Sequence, residues 1–186
     1  MPVWEDSQYP DCDAPRPYRA GVGRRRAARK HEEGVESAED AYRKVLRLAA
    51  VRERCESELR TRLEGDGFDP ATVGEALGRA MACGVIDDRR FAESFVRGRV
   101  SMGKGRQGIE AELRARGIEP DGLPGWPEEF GLGDEEAEAA RALSSLEARP
   151  PASSRPHESA YRRLIGKGFS ASVAATASRL WSEGLD

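Results

Sequence analysis

One short pattern occurs three times in the sequence and limits what the chain can fold into. In each copy, a basic stretch with helical spacing is followed by glycine and then by a hydrophobic residue. The copies are Glu58–Phe68, Glu112–Ile118 and Ala160–Phe169. A glycine after the last helical turn can adopt a positive φ, so the next apolar side chain folds back under the helix it has left. The pattern predicts short helical units that stack along the chain.

Composition favours helices over strands. Of the 186 residues, 38% are hydrophobic and 34% are charged, which is a low apolar share for one deep core. Ala, Arg, Glu and Leu recur, and these residues favour amphipathic helices with a solvated face. The sequence therefore predicts an all-α protein with a shallow, elongated shape.

The apolar spacing divides the chain into four segments. The first mixes Pro, Gly and charged residues and is predicted to be a disordered arm with the basic run Arg24–Lys30. The boundaries are 1–40 for the arm, and 41–85, 86–133 and 134–186 for three predicted three-helix repeats. In the second repeat, the Pro- and Gly-rich residues 119–133 are predicted to form a linker, so that the third helix is degenerate or replaced.

Helix signals predict caps and buried faces. Asp69 and Ser170 are N-cap residues, whereas Cys55 stands where a hydroxyl is preferred and predicts a weak cap. The expected buried stripes are Val73, Leu77, Ala80 and Met81 in one helix, Ala137, Ala140, Leu143 and Leu146 in a later one, and Val173, Ala177, Leu180 and Trp181 in the last.

Four blocks between residues 41 and 118 resemble the RecX family of recombinase regulators. The blocks are Arg54–Leu59, then Leu63 with Gly67-Phe68, then Ile86–Ala92 with Phe95–Arg97, and Gly108–Leu113 with Gly117-Ile118. Their order and spacing are more specific than any one block. The chain departs from the family pattern at Cys55, at residues 119–133 and in its long arm.

The resemblance implies tandem three-helix repeats, helix-turn-helix-like in form, that make an elongated curved rod. It also implies binding in the groove of a RecA–DNA filament, where bridging of neighbouring protomers restrains strand exchange and ATP turnover. The residues predicted to hold the repeats together are Leu59, Leu63, Gly67, Phe68, Asp88, Phe91, Phe95, Leu113, Gly117, Gly168 and Phe169.

Charge is unevenly distributed along the chain. Residues 41–118 contain 16 basic and 12 acidic residues, whereas residues 119–186 contain 7 and 12. Eight bases on two successive helices and their turn predict a face for the filament or its DNA, namely Arg89, Arg90, Arg97, Arg99, Lys104, Arg106, Arg114 and Arg116. The alternative is that most of them pair with Glu93, Glu110 and Glu112 on their own helices.

The sequence indicates neither an enzyme nor a cofactor or metal site. His31 and His157 have no companion at ligand spacing, and Gly103–Arg106 lacks the spacing of a phosphate-binding loop. The Asp87-Asp88 pair is explained by helix capping. We therefore predict a protein that acts by surface recognition.

Partner and location follow from the same features. Cys12, Cys55 and Cys83 are odd in number and far apart, which is unlike a disulfide framework and favours a reducing cytoplasm. No membrane segment is evident, and we expect a monomer that binds the RecA filament with weak, non-specific DNA contact. The alternatives are a helix-turn-helix transcription regulator and a helical adaptor for an unrelated protein.

Overall fold

The computed structural model describes residues 37–184, and all regular secondary structure in this range is helical. The chain forms two compact units that divide between Asp87 and Asp88. Within residues 37–87, the described part of the first unit, three helices pack around one core. They are α1 (Ala38–Ala49), α2 (Glu56–Gly65) and α3 (Pro70–Ala82).

The second unit contains five helices. They are α4 (Asp88–Ser101), α5 (Arg106–Arg114), α6 (Glu135–Glu147), α7 (Pro156–Gly166) and α8 (Ala171–Glu183). Helices α6, α7 and α8 share a core around Leu146, Leu164 and Phe169. Helices α4 and α5 bury Phe91, Val96, Ile109 and Leu113. The predicted all-α class is confirmed, and the rod shape stays a prediction.

Local caps explain where several helices begin. Asp69 accepts from the amides of Ala71 and Thr72, and Ser170 accepts from the amide of Val173, so both predicted N-caps are confirmed. Cys55 precedes α2 and makes no side-chain cap hydrogen bond, as its sulfur predicts.

The first helix begins earlier than the sequence pattern indicates. Ser37 forms a capping box with Asp40, and α1 starts at Ala38. Residues 38–40, which were expected to belong to the arm, are therefore helical. The rest of the predicted arm, with Arg24–Lys30 and His31, lies outside the described residues.

The predicted glycine turn occurs at three places, each with the same type of backbone hydrogen bond. After Gly67, Gly117 and Gly168, whose φ angles are 100°, 74° and 85°, the next amide donates to the carbonyl five residues back. The bonds are Phe68 to Leu63 at 3.2 Å, Ile118 to Leu113 at 3.1 Å and Phe169 to Leu164 at 3.2 Å. All three hydrophobic residues are buried. The predicted fold-back is confirmed and has the geometry of a Schellman motif.

Several predicted core positions are wrong. Met81 is 45% exposed and Leu180 is 42% exposed, although each lies beside a buried stripe. In α6 the buried alanines are Ala139 and Ala142, whereas Ala137 and Ala140 face solvent. Small apolar residues on several faces of α6 make the buried face hard to identify from spacing alone.

Residues 119–133 are packed against the second repeat. They contain two 3-10 turns, Pro120–Gly122 against α5 and Glu128–Phe130 against α4. Leu123 and Leu132 are buried. The segment therefore takes part in the fold of its unit, and its description as a linker is corrected.

The two cysteines within the described range differ in whether they form a disulfide. Cys55 is a free, fully buried thiol that packs beside α2. Cys83, which is partly accessible at the end of α3, is disulfide-bonded. The number and spacing of the cysteines gave no sign of this bond, and Cys12 lies outside the described residues.

Residues 37–184 contain neither a metal-binding cluster nor a membrane-spanning helix. No group of three or more His, Cys, Asp or Glu side chains in this range is placed to hold a metal ion. None of the helices in the same range has the length and apolar character needed to cross a membrane.

Candidate interaction surface

The eight predicted basic residues lie on α4, on α5 and at the ends of these helices. Across residues 88–118 the chain has eight basic side chains and four acidic ones. Helix α4 leads through one glycine turn directly into α5, so these positive charges come from one continuous segment of the chain. We call this set of eight bases the α4–α5 surface.

On α4, Glu93 is shared by two arginines. Arg89 lies 3.2 Å and Arg97 lies 3.8 Å from its carboxylate oxygens, at i,i+4 spacing on either side. The side chain of Arg97 is 71% exposed and that of Arg89 is 65% exposed. One carboxylate cannot neutralise two guanidinium groups, so this part of α4 stays positive and accessible.

Glu112 on α5 connects the two helices and their turn. Its carboxylate oxygens lie 2.6 Å from Arg99 Nε and 3.5 Å from Lys104 Nζ. Partial burial would raise the pKa of Glu112, but the hydrogen bond and charge of Arg99, together with Lys104, hold it below its ordinary value of 4.5. Arg99, at 27% side-chain exposure, therefore fixes α4 against α5 more than it offers charge to a partner.

Glu110 holds the remaining pair on α5. Arg106 Nε lies 2.7 Å from one carboxylate oxygen and Arg114 Nη1 lies 3.4 Å from the other. With Glu93 and Glu112, this carboxylate brings at least six of the eight bases into ion pairs. Pairing within α4 and α5 is thus present, and it coexists with a net positive charge because each acid is shared.

Phe95 lies between two arginines. Arg99 and Arg116 are 4.4 Å and 4.6 Å from its ring centroid, and Phe91 stacks on it at 5.7 Å. Arg116 also donates to the carbonyl of Glu112 at 2.6 Å. The ring is half-buried, and cation–π contacts order the two guanidinium groups. Phe95 is thus a structural anchor that also positions charge.

The packed segment 119–133 supplies two further aromatic contacts. Arg97 lies 5.8 Å from the Phe130 centroid, and Arg106 lies 6.0 Å from the Trp126 centroid. Sequence reasoning missed both rings, because a contact between a Pro- and Gly-rich segment and a preceding helix has no periodic signal. The aromatic residues in that segment were the one sign available.

Glu138 is a further residue that the sequence pattern did not indicate. It lies on α6, is 6% exposed, and its Oε1 accepts from the Arg106 amide at 2.7 Å. Gly105, which precedes α5, has no side chain to perform this role. A carboxylate from α6 therefore caps α5 and fixes the direction in which its arginines extend.

Two family models match this chain. Residues 41–79 match the model described as "RecX, first three-helix domain", and residues 87–121 match "RecX, second three-helix domain". The matches cover most of α1 and α3, all of α2, α4 and α5, and all eight bases of the α4–α5 surface.

Similar proteins share the same name. The chain is 32% identical over 143 residues to "Regulatory protein RecX" of Mycobacterium sp. (strain KMS), covering 73% of this chain and 78% of that protein. It is also 32% identical over 148 residues to "Regulatory protein RecX" of Amycolatopsis mediterranei (strain U-32), covering 74% and 83%.

Two solved structures share the fold. One, titled "Crystal structure of regulatory protein RecX", matches with a TM-score of 0.60 at 24% identity, over 78% of this chain and 71% of the other. A RecX structure from Lactobacillus salivarius matches with a TM-score of 0.59 at 18% identity, over 78% and 97%. The prediction of tandem three-helix repeats is confirmed.

Proposed function

The chain belongs to the RecX family, and on that premise we propose that it regulates a RecA recombinase by binding the RecA–DNA filament. Regulation is mainly inhibitory. Binding limits strand exchange and ATP hydrolysis by RecA in DNA repair, recombination and the SOS response. The chain itself has no catalytic role and acts in the cytoplasm as a monomer.

One observation carries the proposal for the binding surface. Residues 88–118 contain eight bases and four acids, and Glu93 is shared by the exposed Arg89 and Arg97. A RecA–DNA filament presents DNA phosphates along its groove, and positive side chains gain affinity for such a polymer by releasing its counterions. The surface is therefore suited to a long anionic partner.

The rigidity of the surface supports the same proposal. Phe95, Phe130 and Trp126 place aromatic rings beside four of the arginines. Arginines held in this way lose less conformational entropy when they bind a partner. Repeated helical units that contact successive protomers would then act as bridges along a filament.

A pull-down with immobilised single-stranded DNA tests the proposal. We expect strong retention on RecA-coated strands and weak, salt-sensitive retention on naked strands. Equal retention on both would contradict a filament regulator. Tight binding to one duplex site, far above random DNA, would instead support the helix-turn-helix transcription regulator. Failure to bind either polymer would favour an adaptor for an unrelated protein.

A further inference from the structure

A basic groove lies in the second unit, beside the turn that follows α4. It has a volume of about 670 Å³ and is formed by the C-terminal end of α4, one face of α6 and the end of α7. The α6 residues Arg141, Ser144, Ser145 and Ala148 occur at i, i+3, i+4 and i+7, so they line one side of that helix.

The groove is positively charged, whereas the chain segment that supplies its bases is acidic overall. Residues 119–186 have 7 basic and 12 acidic residues, yet four of those bases line the groove and none of its lining residues is acidic. The four are Arg141, Arg149, Arg163 and Lys167. Folding therefore separates the charges and concentrates positive ones at a single place in an acidic segment.

The floor of the groove contains hydrogen-bond donors that lack acceptors. Arg141 Nη2 lies 3.2 Å from Glu138, but its Nε and Nη1 are buried and have no partner within the described part of the chain. The buried Ser145 hydroxyl, one helical turn further along α6, also has no hydrogen-bond partner within the described part of the chain. Buried donors without acceptors are costly, and that cost would fall if either side chain turned toward an anion bound in the groove.

Repulsion among the cations of the groove also favours the binding of an anion. Burial lowers the pKa of Lys167, and the positive charges of Arg163, Lys104 and Arg149 lower it further. The Lys167 ammonium also lies against the turn at Gly103, 3.3 Å from where a Cβ would be. Like charges held together destabilise a fold, and a bound anion would remove that penalty.

We infer that this groove binds a phosphodiester group of a single-stranded nucleic acid backbone. Arg141 has two guanidinium nitrogens, Nε and Nη1, without acceptors, and the Ser145 hydroxyl is a third donor one helical turn away. Hydrogen bonds from a guanidinium to a phosphate oxygen are charge-assisted, and a phosphodiester also has an acceptor direction for a hydroxyl. Arg149, Arg163 and Lys167 extend the positive charge along the groove. The groove can therefore attract more than one phosphate of a regularly charged backbone.

Binding of a short fluorescein-labelled oligothymidylate, followed by anisotropy without RecA, tests the inference. In the Arg163→Gln/Lys167→Gln double variant we expect the Kd to rise at least about tenfold and the salt dependence of binding to weaken by one to two ions. The matched control is Arg162→Gln/Arg179→Gln, which removes the same charge from exposed positions of α7 and α8. We expect it to change the Kd by less than about twofold.

Ser145→Ala separates binding from folding. Loss of a buried hydroxyl that has no partner should leave the melting temperature unchanged or higher, while the Kd for the oligonucleotide rises about two- to tenfold. Equal Kd values for the groove double variant and its control would overturn the inference, as would a wild-type Kd for Ser145→Ala. Displacement of the oligonucleotide by an oligoglutamate peptide of equal charge at the same concentration would overturn the assignment to phosphodiester. Because RecA is absent, these results are independent of the filament proposal.

Discussion

The amide of Gly108 donates a hydrogen bond to the carbonyl of Gly168 at 2.9 Å, across a contact that leaves neither residue room for a side chain. A Cβ on Gly108 would lie 2.8 Å from the Cα of Gly168. Helix α5 is therefore held directly against the turn between α7 and α8. This contact joins the second repeat to the third within one unit.

Gly108→Ala should reverse the usual effect of replacing a helical glycine. Alanine normally stabilises a helix interior by about 0.5–1 kcal/mol, but here its Cβ must displace backbone, and we expect a loss of at least about 2 kcal/mol. Gly98→Ala in α4 is the matched control, because a Cβ there meets nothing within 4 Å. Urea unfolding measures both variants, and stabilisation by Gly108→Ala would contradict the contact.

Glu138→Ala tests the cap that α6 supplies to α5. The variant leaves the Arg106 amide without its acceptor and Arg141 without its ion-pair partner. We expect the free energy of unfolding to fall by about 1–3 kcal/mol. Glu147→Ala, on the exposed end of the same helix, should change it by less than about 0.5 kcal/mol. Thermal unfolding that does not distinguish the two variants would show that Glu138 is not a cap.

Asp66 gives the first unit a predictable response to acid. Lys44 Nζ, 3.0 Å from Oδ2, lowers the pKa of this carboxyl below 3.8, against a smaller opposing effect of burial, and Arg62 lowers it further. A carboxyl with a depressed pKa stabilises the fold above its ordinary pKa, and this stabilisation is lost as the pH falls through the depressed value. Asp66→Asn and Lys44→Met should both make the urea midpoint less dependent on pH between about 5 and 2. A pH dependence that matches the wild type in both variants would contradict the pairing.

Much of the fold could be predicted because its signals are local. The hydroxyl or carboxyl of Asp69 and Ser170 bonds amides two or three residues away, and Gly67 and Gly168 act on the next residue. Such contacts are visible in a few residues of sequence. The buried face of α6 was not predictable in this way, because its alanines are distributed around the helix.

The sites could be predicted only in part, since they depend on contacts between distant segments. The basic residues of α4 and α5 are visible in the sequence, but the division of Glu93 between Arg89 and Arg97 depends on rotamers. Nothing local indicates that Trp126 reaches Arg106. The groove around Arg141 lies in a segment whose total charge is negative, so charge counting along the chain points away from it.

Inhibition of RecA ATP hydrolysis on single-stranded DNA tests the central claim most directly. The variant is Arg89→Glu/Arg97→Glu, which reverses the two exposed bases that share Glu93 and leaves the more buried Arg99 and Lys104 in place. Arg162→Glu/Arg179→Glu makes the same charge change on α7 and α8. Circular dichroism of both variants is needed to check that they remain helical.

We predict that the concentration of this protein needed for half-inhibition rises at least about tenfold for Arg89→Glu/Arg97→Glu and less than about twofold for the control, since like charges facing an anionic partner cost several kcal/mol. Wild-type inhibition by a helical Arg89→Glu/Arg97→Glu variant would contradict the assignment of the α4–α5 surface. Absence of inhibition by the wild-type protein would contradict the proposed function itself.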